Sequence, residues 1–344
     1  MCFDKPVLNN PRKGFFMAKH VRYLVAILCA VGLVAGCGGG STDSGTEASA
    51  TRTVSTVKGD VTIPVKPKRV VLLNYNLAGY LYDLGLPVTA MVTEYTDRDP
   101  AKAQPFDAWK DDFTKAGTKF MHWPAGGYDL EAIAAEKPDL IVGGGLGFPF
   151  KQTNDAYDRL KAIAPTLVVD NKAESWNQQF EFLAKAFDQP QVYQDAVKKY
   201  DERIAQVKAG ITPPPGPVAF LSMTAQGKAY GLIENRGVPA EFAKVGIEAA
   251  PIFASGKFKP YTAGGDSYEI TPEQLPSTVT QPSVFIVGFS GQTFDANSLR
   301  SQPVYASLPA FTANRAFDLP YWVQRPDFDK AIATLDVVEK MFKK

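Results

Sequence analysis

Few residues in this chain have the type and spacing needed for covalent chemistry. Gly288-Phe289-Ser290-Gly291 has the outline of a turn that exposes a nucleophilic serine, but the G-x-S-x-G pattern needs glycine where Gln292 stands. Its base would have to be His122, the single histidine beyond the N-terminal segment, supplied from the other half of the chain. Gly143-Gly144-Gly145-Leu146-Gly147 follows an apolar stretch as a dinucleotide-binding turn would, yet Phe148 stands where the third glycine of G-x-G-x-x-G falls. A glycine-rich turn bordering a cleft is the better account. Cys2, Cys29 and Cys37 all lie within the first 37 residues, so the body has neither a disulfide framework nor a cysteine metal site. A bare zinc or manganese ion wants a cluster of histidine and carboxylate ligands, which one histidine does not provide. The chemistry left is recognition rather than catalysis, and an enzyme is not expected.

The 344 residues carry 37 Lys plus Arg against 36 Asp plus Glu, a formal charge of +1 that gives no field for gripping nucleic acid. With 45% hydrophobic residues the chain is globular, and its length suits two domains. Tyr23 to Gly36 is an apolar run of 14 residues behind Lys19, His20 and Arg22, too short to span a bilayer and suited to a signal peptide over 1–36. Leu33-Val34-Ala35-Gly36-Cys37 resembles a bacterial lipobox, which makes Cys37 the expected lipidated first residue of the mature protein. Met17 would begin a signal of conventional shape. Two acyl chains hold a protein on a membrane without a spanning helix. The expected location is the extracytoplasmic face of the cell membrane after Sec or Tat export. Residues 37–57 lack large apolar side chains and read as a flexible leash with a reach of about 25 Å. Removal of 1–36 takes away five basic residues and one acidic residue, leaving a mature charge of −3 that does not favour adhesion of the body to an anionic surface.

Beyond the leash, apolar strands alternate with helical patterns, the mark of an α/β fold. Arg69 to Leu73 reads as the first strand, followed by a loop at Asn74-Tyr75-Asn76 and a helix ending at Leu84. Asp129 caps a helix from Leu130 to Lys137, and Leu140-Ile141-Val142 suits a strand buried on both faces. Trp176, Phe180, Leu183 and Phe187 form one helical face. Tyr193, Val197, Tyr200, Ile204 and Val207 mark a bridging helix over 191–210, about 28 Å long. It separates an N-terminal lobe, 58–190, from a C-terminal lobe, 211–344. The second lobe repeats a unit of the first: Leu130-Glu131 then Pro138 to Gly143, against Pro272-Glu273 then Pro282 to Gly288. A last helix runs from Asp327 to Phe342. The fold expected is two Rossmann-like lobes bridged by one long helix, with a ligand cleft between them.

These residues resemble the substrate-binding proteins of ATP-binding-cassette importers for ferric siderophores and related iron or corrinoid ligands. The likeness rests on Lys68-Arg69-Val70-Val71, Leu84-Gly85-Leu86-Pro87-Val88, the run from Asp129 to Ile141, Leu160-Lys161-Ala162-Ile163-Ala164-Pro165-Thr166, and Ser307-Leu308-Pro309-Ala310. It implies two lobes that close modestly on a ligand, a monomer, and no resident cofactor, since the siderophore itself supplies the ligands of the iron. In this family one glutamate on each lobe docks against arginines of the permease, and Glu131 and Glu273 hold the matching places. Helix-dipole stabilisation is the plainer role for both, as each falls in the first turn of an expected helix.

Open α/β sheets bind ligands in the loops after their strands. Those loops offer Tyr75, Lys119, Trp123, Phe148, Arg236, Phe289, Tyr321 and Trp322 as ligand-binding candidates, with Tyr261 and Tyr268 in a glycine-rich loop as further ones. Aromatic faces suit the apolar rim of a bulky chelate and cations its anionic centre. Arg236 also resembles a family arginine that precedes glycine and approaches the ligand. Core packing competes for every aromatic. Haem held by a tyrosinate, cobalamin between aromatics, a surface adhesin and a lipoprotein hydrolase are the alternatives.

Overall fold

The computed structural model describes residues 50–261, 265–289 and 294–344; Cys37 and Ser290 lie outside them. Its first element corrects an expectation. Residues 51–56, assigned above to the leash, form strand β1 (Thr51–Thr56), antiparallel to β2 (Gly59–Pro64). Four of the six residues in β1 are β-branched, Thr51, Thr53, Val54 and Thr56, and such side chains fit a pleated surface. Gly59 turns the chain at φ 88°, and Val54, Val61 and Ile63 join the core.

The N-terminal lobe then alternates β3 (Val70–Leu72), α1 (Ala78–Asp83), β4 (Val88–Val92), α2 (Lys110–Lys115), β5 (Lys119–Met121), α3 (Leu130–Ala135), β6 (Leu140–Gly144), α4 (Phe148–Lys161), β7 (Thr166–Val169) and α5 (Trp176–Ala186). Its five strands are parallel, in the order β5-β4-β3-β6-β7. β3 and β6 are apolar at nearly every position because helices cover both faces of such a sheet. Gly144 has φ 86°, and a Cβ there would sit 2.3 Å from the carbonyl oxygen of Val169. Only glycine lets β6 and β7 pair so closely at this end.

Helix α6 (Pro190–Gly210) starts on a proline, which needs no N–H at that position, and buries Ala196, Tyr200 and Val207 along one stripe. The C-terminal lobe follows with β8 (Val218–Met223), β9 (Ala229–Leu232), α7 (Gly237–Ala243), β10 (Ser267–Ile270), α8 (Leu275–Thr278), β11 (Ser283–Gly288), α9 (Ala296–Arg300), α10 (Pro303–Ala306), α11 (Pro309–Thr312), β12 (Ala316–Leu319) and α12 (Phe328–Phe342). The strand order is β10-β9-β8-β11-β12. β8, β11 and β12 are parallel, but β9 is antiparallel to both of its neighbours. The cause is connection length: a short turn closed by Thr224 N–H donating to Lys228 O joins β8 to β9, and a parallel pairing needs a crossover of a dozen residues or more. β6 lies beside β3 as β11 lies beside β8, so the two repeated sequence units occupy equivalent positions in the sheets.

α12 folds back along α6, where Arg203 reaches Asp336 and Glu339, each at 2.6 Å. One apolar cluster therefore runs from Leu72 and Phe180 through Tyr200 and Leu335 to Phe285, from one sheet to the other. Among the described residues no helix is long and apolar enough to cross a membrane.

Candidate functional site

Strand ends determine where a ligand can sit. In parallel sheets the loops beyond the C-terminal ends carry free polar groups and helix starts, whereas the strands themselves are buried. Here loops from both lobes border a cavity of about 490 Å³. The N-terminal lobe contributes Asn74 and Asn76 after β3, Leu146 and Gly147 after β6, and residues from Asn171 to Gln179 after β7. The C-terminal lobe contributes Asn235 to Gly237, Glu241, Gly265, Asp266 and Gln324 to Pro326.

The wall is held from beneath. Asn74 donates from Nδ2 to Gly144 O at 2.8 Å and accepts the N–H of Asn76 at 3.0 Å, which ties the loop after β3 to the end of β6. Gln324 Nε2 donates to Ser222 Oγ at 3.0 Å and to Gly288 O, bridging the ends of β8 and β11. Arg325 pairs with Asp266 at 2.8 Å, and Arg236 Nη1 donates to Gly265 O at 3.1 Å.

At the rear, Trp176 meets Tyr200 of α6 edge-on at 4.9 Å, and the Tyr200 hydroxyl donates to Glu241 of α7. Burial pushes the Tyr200 phenol well above its usual range, and the Glu241 carboxylate pushes it further, so the hydroxyl stays a donor. Trp176 belongs to the N-terminal lobe, Tyr200 to the bridging helix and Glu241 to the C-terminal lobe. Trp176 and Glu241 line the cavity, and Tyr200, which does not, ties them together, so one contact joins all three parts of the fold.

Of the eight expected ligand residues, Arg236 is the one that lines this cavity. Tyr75 sits between two lining asparagines but turns into the core, against Trp109 at 5.0 Å, with its hydroxyl donating to Gln104 O. Trp123 is buried and donates to Gln152 Oε1, while Phe148, an exposed residue, stacks on it. Phe289 and Tyr261 are also exposed, both against Tyr230. The Tyr321 hydroxyl donates to Glu94 across the lobes at 3.0 Å, and Trp322 packs edge-on against Phe106. Tyr268 is a core residue, buried at 1% exposure against Gly231.

Lys119 is the clearest correction. It begins β5, at the end of the sheet away from the cavity, and pairs with Glu136 at 2.7 Å. Burial, reinforced by Glu94, raises the Tyr321 phenol, and burial raises that of Tyr75. Both are held as phenols, a poor setting for a tyrosinate metal ligand. Among the described residues no three His, Cys, Asp or Glu side chains converge to hold a metal ion.

Sequence reasoning missed Asn74, Asn76, Trp176, Glu241, Asp266, Gln324 and Arg325. Three of them carried a signal: Asn74 and Asn76 flank Tyr75 in a loop already marked, and Arg325 lies three residues beyond Trp322. Glu131 is exposed in the first turn of α3, capped by Asp129. Glu273 is exposed too, but it stands in a turn before α8 rather than in a helix. There its own backbone N–H and the Thr271 hydroxyl hold its carboxyl below the usual range.

The chain has clear relatives. It is 25% identical over 301 residues to the ferric enterobactin-binding periplasmic protein FepB of Escherichia coli O6:H1, an alignment covering 85% of this chain and 91% of that one. It is 31% identical over 196 residues, 56% of each chain, to the probable siderophore-binding lipoprotein YfiY of Bacillus subtilis. The crystal structure of holo-ViuP superposes with a TM-score of 0.69 at 22% identity, covering 85% of this chain and 95% of that one, which shows the shared fold. The periplasmic binding protein profile matches residues 70–321, and with a two-lobed fold and an interlobe cavity this places the chain in the periplasmic binding protein family.

Proposed function

We propose that this protein captures a ferric siderophore between its lobes and hands it to an ATP-binding-cassette importer, tethered outside the cytoplasm by lipid on Cys37. The observation that carries the reading is the cavity of about 490 Å³ walled by loops from both lobes. Its volume suits a ligand of drug size or somewhat larger, and its opening between lobes lets closure adjust the fit. The bridging helix and the α12 return favour closure through modest angles, because residues of both helices belong to the apolar cluster shared by the two lobes. Glu131 and Glu273 are the proposed permease contacts, one on each lobe.

Trp176 gives the test a local reporter, since its ring lines the cavity. The soluble chain from Gly38 onward, which retains every described residue, should show saturable submicromolar quenching of tryptophan fluorescence by a ferric siderophore. Trp176→Phe should remove a large share of that quenching while Trp109→Phe, in the core, should not. Equal quenching in both variants would place the ligand elsewhere. A response to haem or cobalamin alone would keep the fold and replace the ligand.

A further inference from the structure

Resting on that reading of the cavity, we infer that the site selects a ferric chelate of neutral or positive net charge, the tris-hydroxamate class, over a trianionic tris-catecholate. Three monoanionic hydroxamates cancel the charge of ferric iron, whereas three dianionic catecholates leave the complex with three negative charges. A cleft that prefers the second must present cations in excess, because desolvating a multiply charged anion beside carboxylates is unfavourable.

This cavity presents no such excess. Among the described residues its charged lining is Arg236 and Arg325 against Glu174, Glu241 and Asp266, and Lys244 pairs with Glu241 from outside the lining, so positive and negative groups balance. Arg325 is already engaged by Asp266 at 2.8 Å. Glu241 is held in place by Tyr200 and by Lys244, whose Nζ lies 2.9 Å from its Oε1. Glu174 is exposed and, among the described residues, makes no ion pair. Among the described residues, seven of the twenty that line it carry amide side chains. Amides offer both donors and acceptors without charge, and they match the carbonyl oxygens and amide links of hydroxamate chelates. Glu174 would favour a ligand with a pendant ammonium group, and it would repel an anion approaching the N-terminal lobe's side of the cavity.

The experiment is a set of equilibrium titrations of the soluble chain with ferrichrome as the neutral probe, ferrioxamine B as the cationic one and ferric enterobactin as the trianion. Each is run on the parent chain and on Glu174→Gln. The expected result is affinity for at least one hydroxamate about tenfold or more above that for the trianion. Glu174→Gln should improve trianion binding a few-fold and weaken the cationic probe, with a smaller change for the neutral probe than for either. A loss of structure would lower all three together, so the opposite responses separate charge selection from folding. Tighter binding of the trianion by the parent chain would overturn this inference and leave siderophore capture standing. Failure of all three chelates to bind would overturn the capture reading on which the inference rests.

Discussion

Replacing Lys330 by methionine will destabilise the protein by about 3 kcal/mol, read as a fall in the urea midpoint at unchanged slope. Lys330 is 1% exposed in the first turn of α12, and Asp327, which caps that helix, is fully buried. The ammonium lies 3.7 Å from Asp327 Oδ2, donates to Asn76 Oδ1 at 3.0 Å, and faces the rings of Tyr75, Phe106 and Trp109 at 5.0, 5.6 and 5.5 Å. Methionine keeps the volume but leaves a buried carboxylate without its cation.

The cost should stay at the lower end for such a change because burial already pushes the Asp327 carboxyl above its ordinary range, and without Lys330 it can escape by taking a proton. A carboxyl whose folded pKa is raised favours the folded state at low pH. The loss should therefore be largest above the raised pKa and shrink as pH falls towards the unfolded value of about 4. Asp327→Asn combined with Lys330→Met should cost less than the sum of the two single changes. A loss under about 1 kcal/mol with strict additivity would mean that the two groups are not coupled. Asn76 lines the cavity, so Lys330→Met should also weaken ligand binding while Asn76 still stands.

The second large effect is on transport rather than on stability. Changing Glu131 and Glu273 together to arginine should reduce import of the ferric ligand by tenfold or more, while affinity in solution stays within about twofold of the parent. Both side chains are exposed and neither lines the cavity. Exposed charges of this kind contribute little to folding. Reversing them would set like charges against the arginines proposed on the permease, and like-charge juxtaposition is strongly unfavourable at an interface. Import measured in cells dependent on this receptor, alongside titration of the purified variant, separates the outcomes. Collapse of affinity in solution would remove the docking assignment, and so would undiminished import.

The fold was legible where local chemistry leaves little choice. Val70 to Leu72 and Leu140 to Val142 are wholly apolar and short, which suits the centre of a parallel sheet and little else. The stripe of Tyr193, Val197, Tyr200 and Ile204 revealed the bridging helix because a 3.6-residue period persists over its length. The β1–β2 hairpin was hidden by its polarity: threonine and serine fill four of the six places in β1, and Val54, Val61 and Ile63 turn inward.

The site was legible as a set of loops but not as a set of side chains. Asn74-Tyr75-Asn76 was marked for its tyrosine, yet the tyrosine packs inward beneath Lys330, which lies 254 positions away from Asn76. Such a partner leaves no trace in the local pattern. Lys119 was misplaced for a related reason: it begins β5 rather than ending it, and strand register follows from pairing with Ala90 and not from composition.

Siderophore capture is tested by calorimetric titration of the soluble chain with one ferric siderophore and with the same siderophore free of iron. A single site of submicromolar Kd for the ferric form, weakened by Trp176→Phe and Arg325→Ala in variants that retain the parent unfolding midpoint, is the predicted result. Binding unaffected by either substitution, or no heat with any ferric chelate, would contradict the account.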